Sequence, residues 1–573
     1  MGEYAPDALR LFIIGLTLLA AAVAPTAAAA ATCPYQARCG SITVPLDHSG
    51  ATPGTLPLGY AILPATGTTT GTIFFLSGGP GESAVVYTGM IRKELAPLRA
   101  SHDIVMVDQR GTGRSGAVDC NSQRSVQRCA KKLGAKRPFL TTVETAKDLD
   151  DLRAALALEK ITPLGVSYGT KVAGEYARRF PDRTASVILD SPVGVEPIDF
   201  DALGGIAAMP RILREVCADG PCAGTVKDAG AALFAAVKRV RETNVRLRIG
   251  GGSERVREGD IFLVMRMSDF EPALRADLPA VLASLAHGDA APFGHLFLRM
   301  SDLGGLNALR LGLQQDDDGY SVSRFLATAC VEAKLPWSPT SAPSTRGAAI
   351  AAYLKRLGSR PFAPFKPSIV NEAGVSAECR KWPSTQVPEP PPAATPDVPV
   401  LVISGRDDIR TPFEGAQAVA AAFPHATVLA VPHVGHSVLT TDPEGCALAG
   451  AAAFLAGQPV APCATKPFVP SGAYFPASFG GSPAKAAEST VAAIRHDLDV
   501  ARAGDEHPPS RFSLRGLRGG GALVRRGAFD LRNVSLFKGL RVSGKLTAAG
   551  NGTLRVRGER NATVVMRGFA AGR

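Results

Sequence analysis

The chain has 573 residues, 63 Lys/Arg against 51 Asp/Glu for a formal net charge of +12, and 46% hydrophobic residues. That length and composition suit two or three globular domains and exclude a disordered or fibrous chain. Residues 467–573 carry 17 Lys/Arg and 7 Asp/Glu, hence +10 of the net charge; the rest is nearly neutral, which gives no support to a nucleic-acid partner.

In chain order, the first element is an apolar run from Leu11 to Ala24, continued by alanines to Ala31. It is too short for a comfortable membrane span and reads as a secretory signal peptide over residues 1–31, although Glu3 and Asp7 against a single Arg10 leave its leading segment without the usual positive charge. An export signal implies a secreted or extracytoplasmic protein. The ten cysteines agree with that: their number is even, and three of them follow another within ten residues. Sequential pairing is expected, as 33–39, 120–129, 217–222, 330–379 and 446–463. No C-x-x-C pair occurs, and the histidines lack zinc-ligand spacing relative to the cysteines, so no metal is expected.

Residues 32–193 alternate apolar runs with helical patterns, as βαβ units do. Ile73–Leu76, Ile104–Val107, Ile161–Leu164 and Val187–Leu189 read as strands; Val143–Leu158 and Thr170–Arg179 read as helices. From 194 to 396 helical patterns dominate, ending in a proline-rich connector from Pro388 to Pro396, which reads as an inserted helical cap. Strand rhythm returns over 397–466, with strands at Val398–Ile403 and Ala426–Val431 and a helix from Gly445 to Leu455. Residues 467–573 form a basic extension. Alternation in Leu540–Gly544 and Leu554–Gly558 predicts a small antiparallel β unit there. Three Asn-x-Ser/Thr triplets in this extension, at Asn533, Asn551 and Asn561, are read as turn residues.

The chemistry centres on Gly165-Val166-Ser167-Tyr168-Gly169 between a predicted strand and a predicted helix. G-x-S-x-G in that setting is a nucleophile elbow: small flanking residues let the chain turn sharply and lift the serine hydroxyl above the sheet. A serine nucleophile needs a base, a group that orients the base, and donors for the oxyanion. His433 and His436 are the candidate bases in a loop after a strand. Asp407 and Asp408 are the candidate acids after the strand ending near Ser404-Gly405, where an open α/β sheet presents its site. Gly435 lets the His436 loop approach closely, which favours His436. Ser77-Gly78-Gly79-Pro80-Gly81 follows the first strong strand, and the backbone N–H groups of Gly79 and Tyr168 are the expected oxyanion hole. No Walker lysine follows this glycine loop, so neither a phosphate nor any other cofactor is expected. Asp108 and Arg110 read as structural.

G-G-P-G, D-Q-R-G-T-G-R-S, G-V-S-Y-G-T, D-D-I-R-T-P and H-V-G-H, in this order, resemble the secreted α/β-hydrolase peptidases of the proline iminopeptidase and tripeptidyl aminopeptidase family over residues 32–466. The resemblance implies an α/β-hydrolase fold with an inserted cap and an exopeptidase acting near a free peptide N-terminus. On the family's D-x-x-T-P pattern the acid falls on Asp408, and its G-H falls on Gly435-His436. Two positions depart from the family: Ser77 replaces a usual histidine, and Glu82 with Ala84 replaces a glycine-rich continuation. Recognition of a substrate ammonium calls for a carboxylate in the cap. Glu332 is the first candidate and Asp316–Asp318 the second. A carboxylesterase on the same fold, or a surface-binding protein with a hydrolase-like core, are the alternatives. The expected partners are peptides with a free N-terminus, with no stable protein partner and with the basic extension suited to an acidic cell surface.

Overall fold

The computed structural model describes residues 33, 35, 37–120, 125–193, 203–218, 226–249, 252–302, 319–369, 375–387, 393, 395–466, 477–503, 510–559 and 561–568. The apolar N-terminal run, Cys222, Asp316–Asp318 and most of the proline-rich connector lie outside these residues.

An eight-stranded mixed sheet forms the core. Its strands are β1 (Arg38–Pro45), β2 (Thr55–Leu63), β3 (Gly71–Leu76), β4 (His102–Val107), β5 (Thr162–Val166), β6 (Val187–Asp190), β9 (Val400–Gly405) and β10 (Ala426–Val431), in the order β1-β2-β4-β3-β5-β6-β9-β10. β1, β2 and β4 pair antiparallel. The run from β4 to β10 is parallel throughout. Parallel strands are covered on both faces, which is why they read as unbroken apolar runs. In β3, Phe74 and Leu76 enter the core on one face with Leu149, Val172 and Tyr176 of the helices Thr142–Ala155 and Tyr168–Arg179. Ile73 and Phe75 enter the other, with Ile91 of the helix Thr88–Glu94 and Ala447 of the helix Cys446–Leu455. This is the α/β-hydrolase architecture expected from the sequence.

Between β6 and β9 the described residues are mainly helical, with a short hairpin of β7 (Arg246–Ile249) and β8 (Gly252–Arg255). Ile212, Leu233, Val237, Met265, Leu278 and Phe293 share one apolar core contributed by five of these helices. Four of the expected disulfides are present: 33–39, 120–129, 330–379 and 446–463. Cys217 is also disulfide-bonded, and its expected partner Cys222 is outside the described residues.

The C-terminal region holds a separate six-stranded antiparallel sheet: β11 (Arg511–Arg515), β12 (Gly521–Arg525), β13 (Ala528–Val534), β14 (Arg541–Leu546), β15 (Gly552–Arg557) and β16 (Ala562–Met566). The helix Pro483–Ala503, absent from the sequence reading, lays Ala487, Val491, Ile494 and Leu498 on its apolar face. The unit meets the cap through charge: His295 Nε2 lies 2.9 Å from Asp497, Arg299 3.4 Å from the same carboxylate, His496 Nε2 3.2 Å from Asp277, and Arg518 grips Asp289 at 2.8 and 2.6 Å. Among the described residues no helix is long and apolar enough to cross a membrane.

One ion-pair cluster ties the β1–β2 turn to the helix Thr142–Ala155. Arg110 is fully buried and makes two 2.6 Å bonds to Asp148, as the structural reading of Arg110 required. His48 contacts Glu144 at 2.6 Å and Asp151 at 3.1 Å. Burial disfavours its charge, but the Asp151 and Glu144 bonds outweigh burial and push its pKa up to about 9. A raised histidine pKa stabilises the fold fully below the unfolded value near 6.5, and that contribution is lost as pH rises through about 9. The melting temperature is therefore expected to fall between pH 6.5 and 9.5 by an amount worth up to about 3 kcal/mol, and His48→Gln should flatten that fall. An equal slope in the variant would assign the loss to other groups.

Candidate active site

The elbow follows from two steric facts. A Cβ on Gly165 would lie 2.3 Å from the Gly169 carbonyl, and one on Gly169 would lie 2.1 Å from the Leu76 carbonyl oxygen. Neither backbone can retreat, because one belongs to the helix and the other to β3, so both positions require glycine. Ser167 between them has φ 53° and ψ −120°, a conformation non-glycine residues adopt only when their surroundings enforce it. Its N–H donates to the Asp190 carbonyl at 2.9 Å. Tyr168 opens the helix, so its N–H has no acceptor one turn earlier. Gly79, with φ 103°, lies in the neighbouring loop after β3.

Asp408 and His436 come together from the ends of β9 and β10. His436 Nδ1 lies 2.9 Å from Asp408 Oδ2, and both groups are buried. The remaining capacity of the carboxylate is filled by the N–H groups of Arg410 and Thr411, each at 2.8 Å, and the Thr411 hydroxyl at 2.6 Å. Burial alone would raise the Asp408 pKa, but the charge of His436 and these donors hold it below the ordinary value. Burial likewise opposes charging His436, and the Asp408 carboxylate more than offsets it, so the imidazole pKa is raised. Ser167 and His436 are not hydrogen-bonded to each other. The segment after His436 is nevertheless pinned beside the elbow. Asp190 accepts the N–H groups of Val438 and Leu439 at 2.9 Å, while its backbone carbonyl holds Ser167.

Asp407 faces away from the histidine. It pairs with the buried Arg275 at 3.1 Å, and Arg275 also donates to the carbonyls of Ser268, Asp269 and His433. This explains the neighbouring aspartates: one serves the imidazole, the other anchors the cap. His433 contributes its backbone carbonyl to Arg275.

Sequence reasoning missed the cap turn Ser268–Phe270. The Asp269 carbonyl accepts the His436 N–H at 3.2 Å, and its carboxylate accepts the N–H groups of Ile409 and Arg410 at 2.9 and 3.0 Å. The Phe270 ring packs edge-on against the imidazole, with centroids 5.6 Å apart. A Cβ on Gly435 would sit 2.1 Å from the Asp269 carbonyl oxygen, so the glycine before His436 admits this turn. Burial and the adjacent Asp408 charge push the Asp269 carboxyl up to about 7.

Asp108 is structural, accepting from Ser83 Oγ at 2.7 Å and from the N–H groups of Val85 and Arg114. Glu332, expected to face the substrate, is bonded to residues of the first part of the core. Its carboxylate accepts the Thr142 N–H at 2.6 Å and the Thr142 hydroxyl at 2.5 Å, and pairs with Lys171 at 3.2 Å. The carboxylate sits at the start of the helix Thr142–Ala155, with a cation already beside it. For a metal, His48, Asp148 and Asp151 place ligand atoms within 4.8 Å of one another. Both Asp148 oxygens already serve Arg110, and His48 is bonded to Glu144, so this group is satisfied as an ion-pair cluster.

Two family descriptions match the chain: alpha/beta hydrolase fold over residues 71–216 and TAP-like protein over residues 367–461. The two matches bracket Ser167 on one side and Asp408 with His436 on the other. Serine protease Hip1 of Mycobacterium tuberculosis is 34% identical over 200 residues, covering 29% of this chain. The chain spans 38% of that protein's length. The tripeptidyl aminopeptidase of Streptomyces lividans is 25% identical over 432 residues, covering 67% of this chain and 74% of that protein. The proline iminopeptidase of Heyndrickxia coagulans is 27% identical over 148 residues, covering 25% of this chain and 43% of that protein. With the sheet order, the elbow and these matches together, the chain is an α/β-hydrolase-fold protein related to several members of peptidase families.

Proposed function

We propose that this protein is a secreted serine exopeptidase that hydrolyses peptide bonds near a free N-terminus through Ser167, His436 and Asp408. The observation that carries the reading is the buried 2.9 Å pairing of His436 Nδ1 with Asp408, at the same end of the sheet as a serine held in a strained elbow. The acceptor at Nδ1 fixes the proton there and leaves Nε2 as the base. Ser167 Oγ attacks the scissile carbonyl as Nε2 takes its proton. The Gly79 and Tyr168 N–H groups receive the oxyanion. His436 then returns the proton to the leaving amine, and water, deprotonated by the same nitrogen, releases the acyl group from Ser167. Asp408 stays ionised throughout and stabilises the imidazolium.

The test is a panel of chromogenic peptides with free and blocked N-termini beside short-chain esters, assayed with the wild type and Ser167→Ala. Turnover confined to free amines, and lost in the variant, is the expected result. Equal turnover of blocked peptides, or preference for esters, would move the assignment to a carboxylesterase.

A further inference from the structure

Glu82 interrupts the otherwise apolar and glycine-rich surroundings of the loop after β3. It is half-buried, and its Oε2 accepts the Gly78 N–H at 3.2 Å. A Cβ built on Gly78 would lie 3.0 Å from Ser167 Cβ and 3.3 Å from Glu82 Oε2. The serine and the carboxylate therefore border the same small space. The cap holds the loop in place: Gly81 accepts the Ser321 N–H at 2.8 Å, and Ser83 donates to Gly319 at 2.9 Å.

No cation is paired with Glu82 among the described residues. The neighbouring Arg410 lies over the Phe270 ring at 4.6 Å, with its Nε 3.7 Å from Asp269. His436 is committed to Asp408. Burial pushes the Glu82 carboxyl above its ordinary value, and the charges of His436 and Arg410 draw it only part of the way back down. Ionised, beside the place where an oxyanion develops, it opposes the reaction by like-charge repulsion unless something positive joins it. Glu332, the carboxylate expected to meet the substrate amine, is occupied by Thr142 and Lys171.

We infer that Glu82 binds the α-ammonium of the residue that is transferred to Ser167, so that the enzyme releases one N-terminal residue at a time. The inference rests on Ser167 being the nucleophile. Reach decides the length. An extended peptide advances about 3.3–3.6 Å per residue. The amine of a single acylated residue is separated from the carbonyl carbon by one Cα, and falls beside Glu82. The amine of a tripeptidyl group lies two residues, or about 7 Å, farther out and cannot reach it. Binding that ammonium also neutralises Glu82, so the correct substrate removes the charge that would otherwise oppose the oxyanion.

The test compares alanyl-, N-acetyl-alanyl- and trialanyl-p-nitroanilide with the wild type, Glu82→Gln, Glu82→Asp and Ser167→Ala. For the wild type, kcat/KM is expected to be at least about tenfold higher for the alanyl than for the trialanyl substrate. In Glu82→Gln the ratio of alanyl to N-acetyl-alanyl turnover should fall by about 10²-fold, and Glu82→Asp should recover part of it. A wild type that prefers the trialanyl substrate, or a Glu82→Gln variant in which the ratio is unchanged, would overturn the inference. A Glu82→Gln variant that loses all three activities equally would make Glu82 part of the loop's scaffold and would overturn it too. If Ser167→Ala keeps its activity, the underlying assignment of the nucleophile fails instead.

Discussion

Ser167→Ala is expected to lower kcat by at least ~10³-fold while leaving the melting temperature within about 1 °C of the wild type. The geometry makes the two parts separable. The strained elbow is enforced by Gly165 packing on Gly169, by Gly169 packing on Leu76, and by the Ser167 N–H bond to Asp190, none of which involves the hydroxyl. Alanine keeps the backbone and removes only the hydroxyl oxygen. Its loss leaves the oxyanion donors and the imidazole in place, so a residual rate above the uncatalysed one should persist. Near-wild-type turnover in the purified variant would remove the mechanism.

The second large effect separates two adjacent aspartates. Asp408→Asn should lower kcat by ~10³- to 10⁴-fold with little change in stability, because an amide offering its NH₂ to Nδ1 selects the wrong imidazole tautomer. Asp407→Asn should do the reverse. It strips the charge partner from Arg275, which is only 2% exposed, and removing one member of a buried pair costs about 3–5 kcal/mol. The measurements are kcat at saturating substrate and urea unfolding on both variants. Comparable kinetic losses, or a kinetic loss confined to Asp407→Asn, would mean the acid is misassigned.

The parallel strands and the elbow were legible in the sequence because their causes are local. Continuous apolar runs mark β3, β4 and β9, and the two glycines around Ser167 answer to contacts four residues apart or one strand away. The short-range disulfides were legible for the same reason. What escaped the reading depends on distance. Asp269 bonds Ile409, 140 positions away, and Arg275 bonds Asp407 across 132, so nothing in either local pattern announces that the cap braces the acid loop. Asp190 reads as the last residue of a strand, although its carboxylate fastens the segment after His436, 248 positions later. Glu332 looked free because its partners Thr142 and Lys171 belong to the first half of the core. The helix Pro483–Ala503 escaped because short alternating segments dominate the region beyond it. Its apolar face becomes evident only against the C-terminal sheet, where it lies along β11, β15 and β16.

The central claim is that Ser167 is a nucleophile activated by His436. It is tested most directly by treating the folded protein with a fluorophosphonate at neutral pH and mapping the adduct by peptide mass spectrometry, in the wild type, Ser167→Ala and His436→Ala. The account predicts one stoichiometric adduct on Ser167, none in Ser167→Ala, and labelling slowed by at least ~10²-fold in His436→Ala. An unlabelled Ser167 in folded wild type, or labelling that proceeds equally fast without His436, would contradict it.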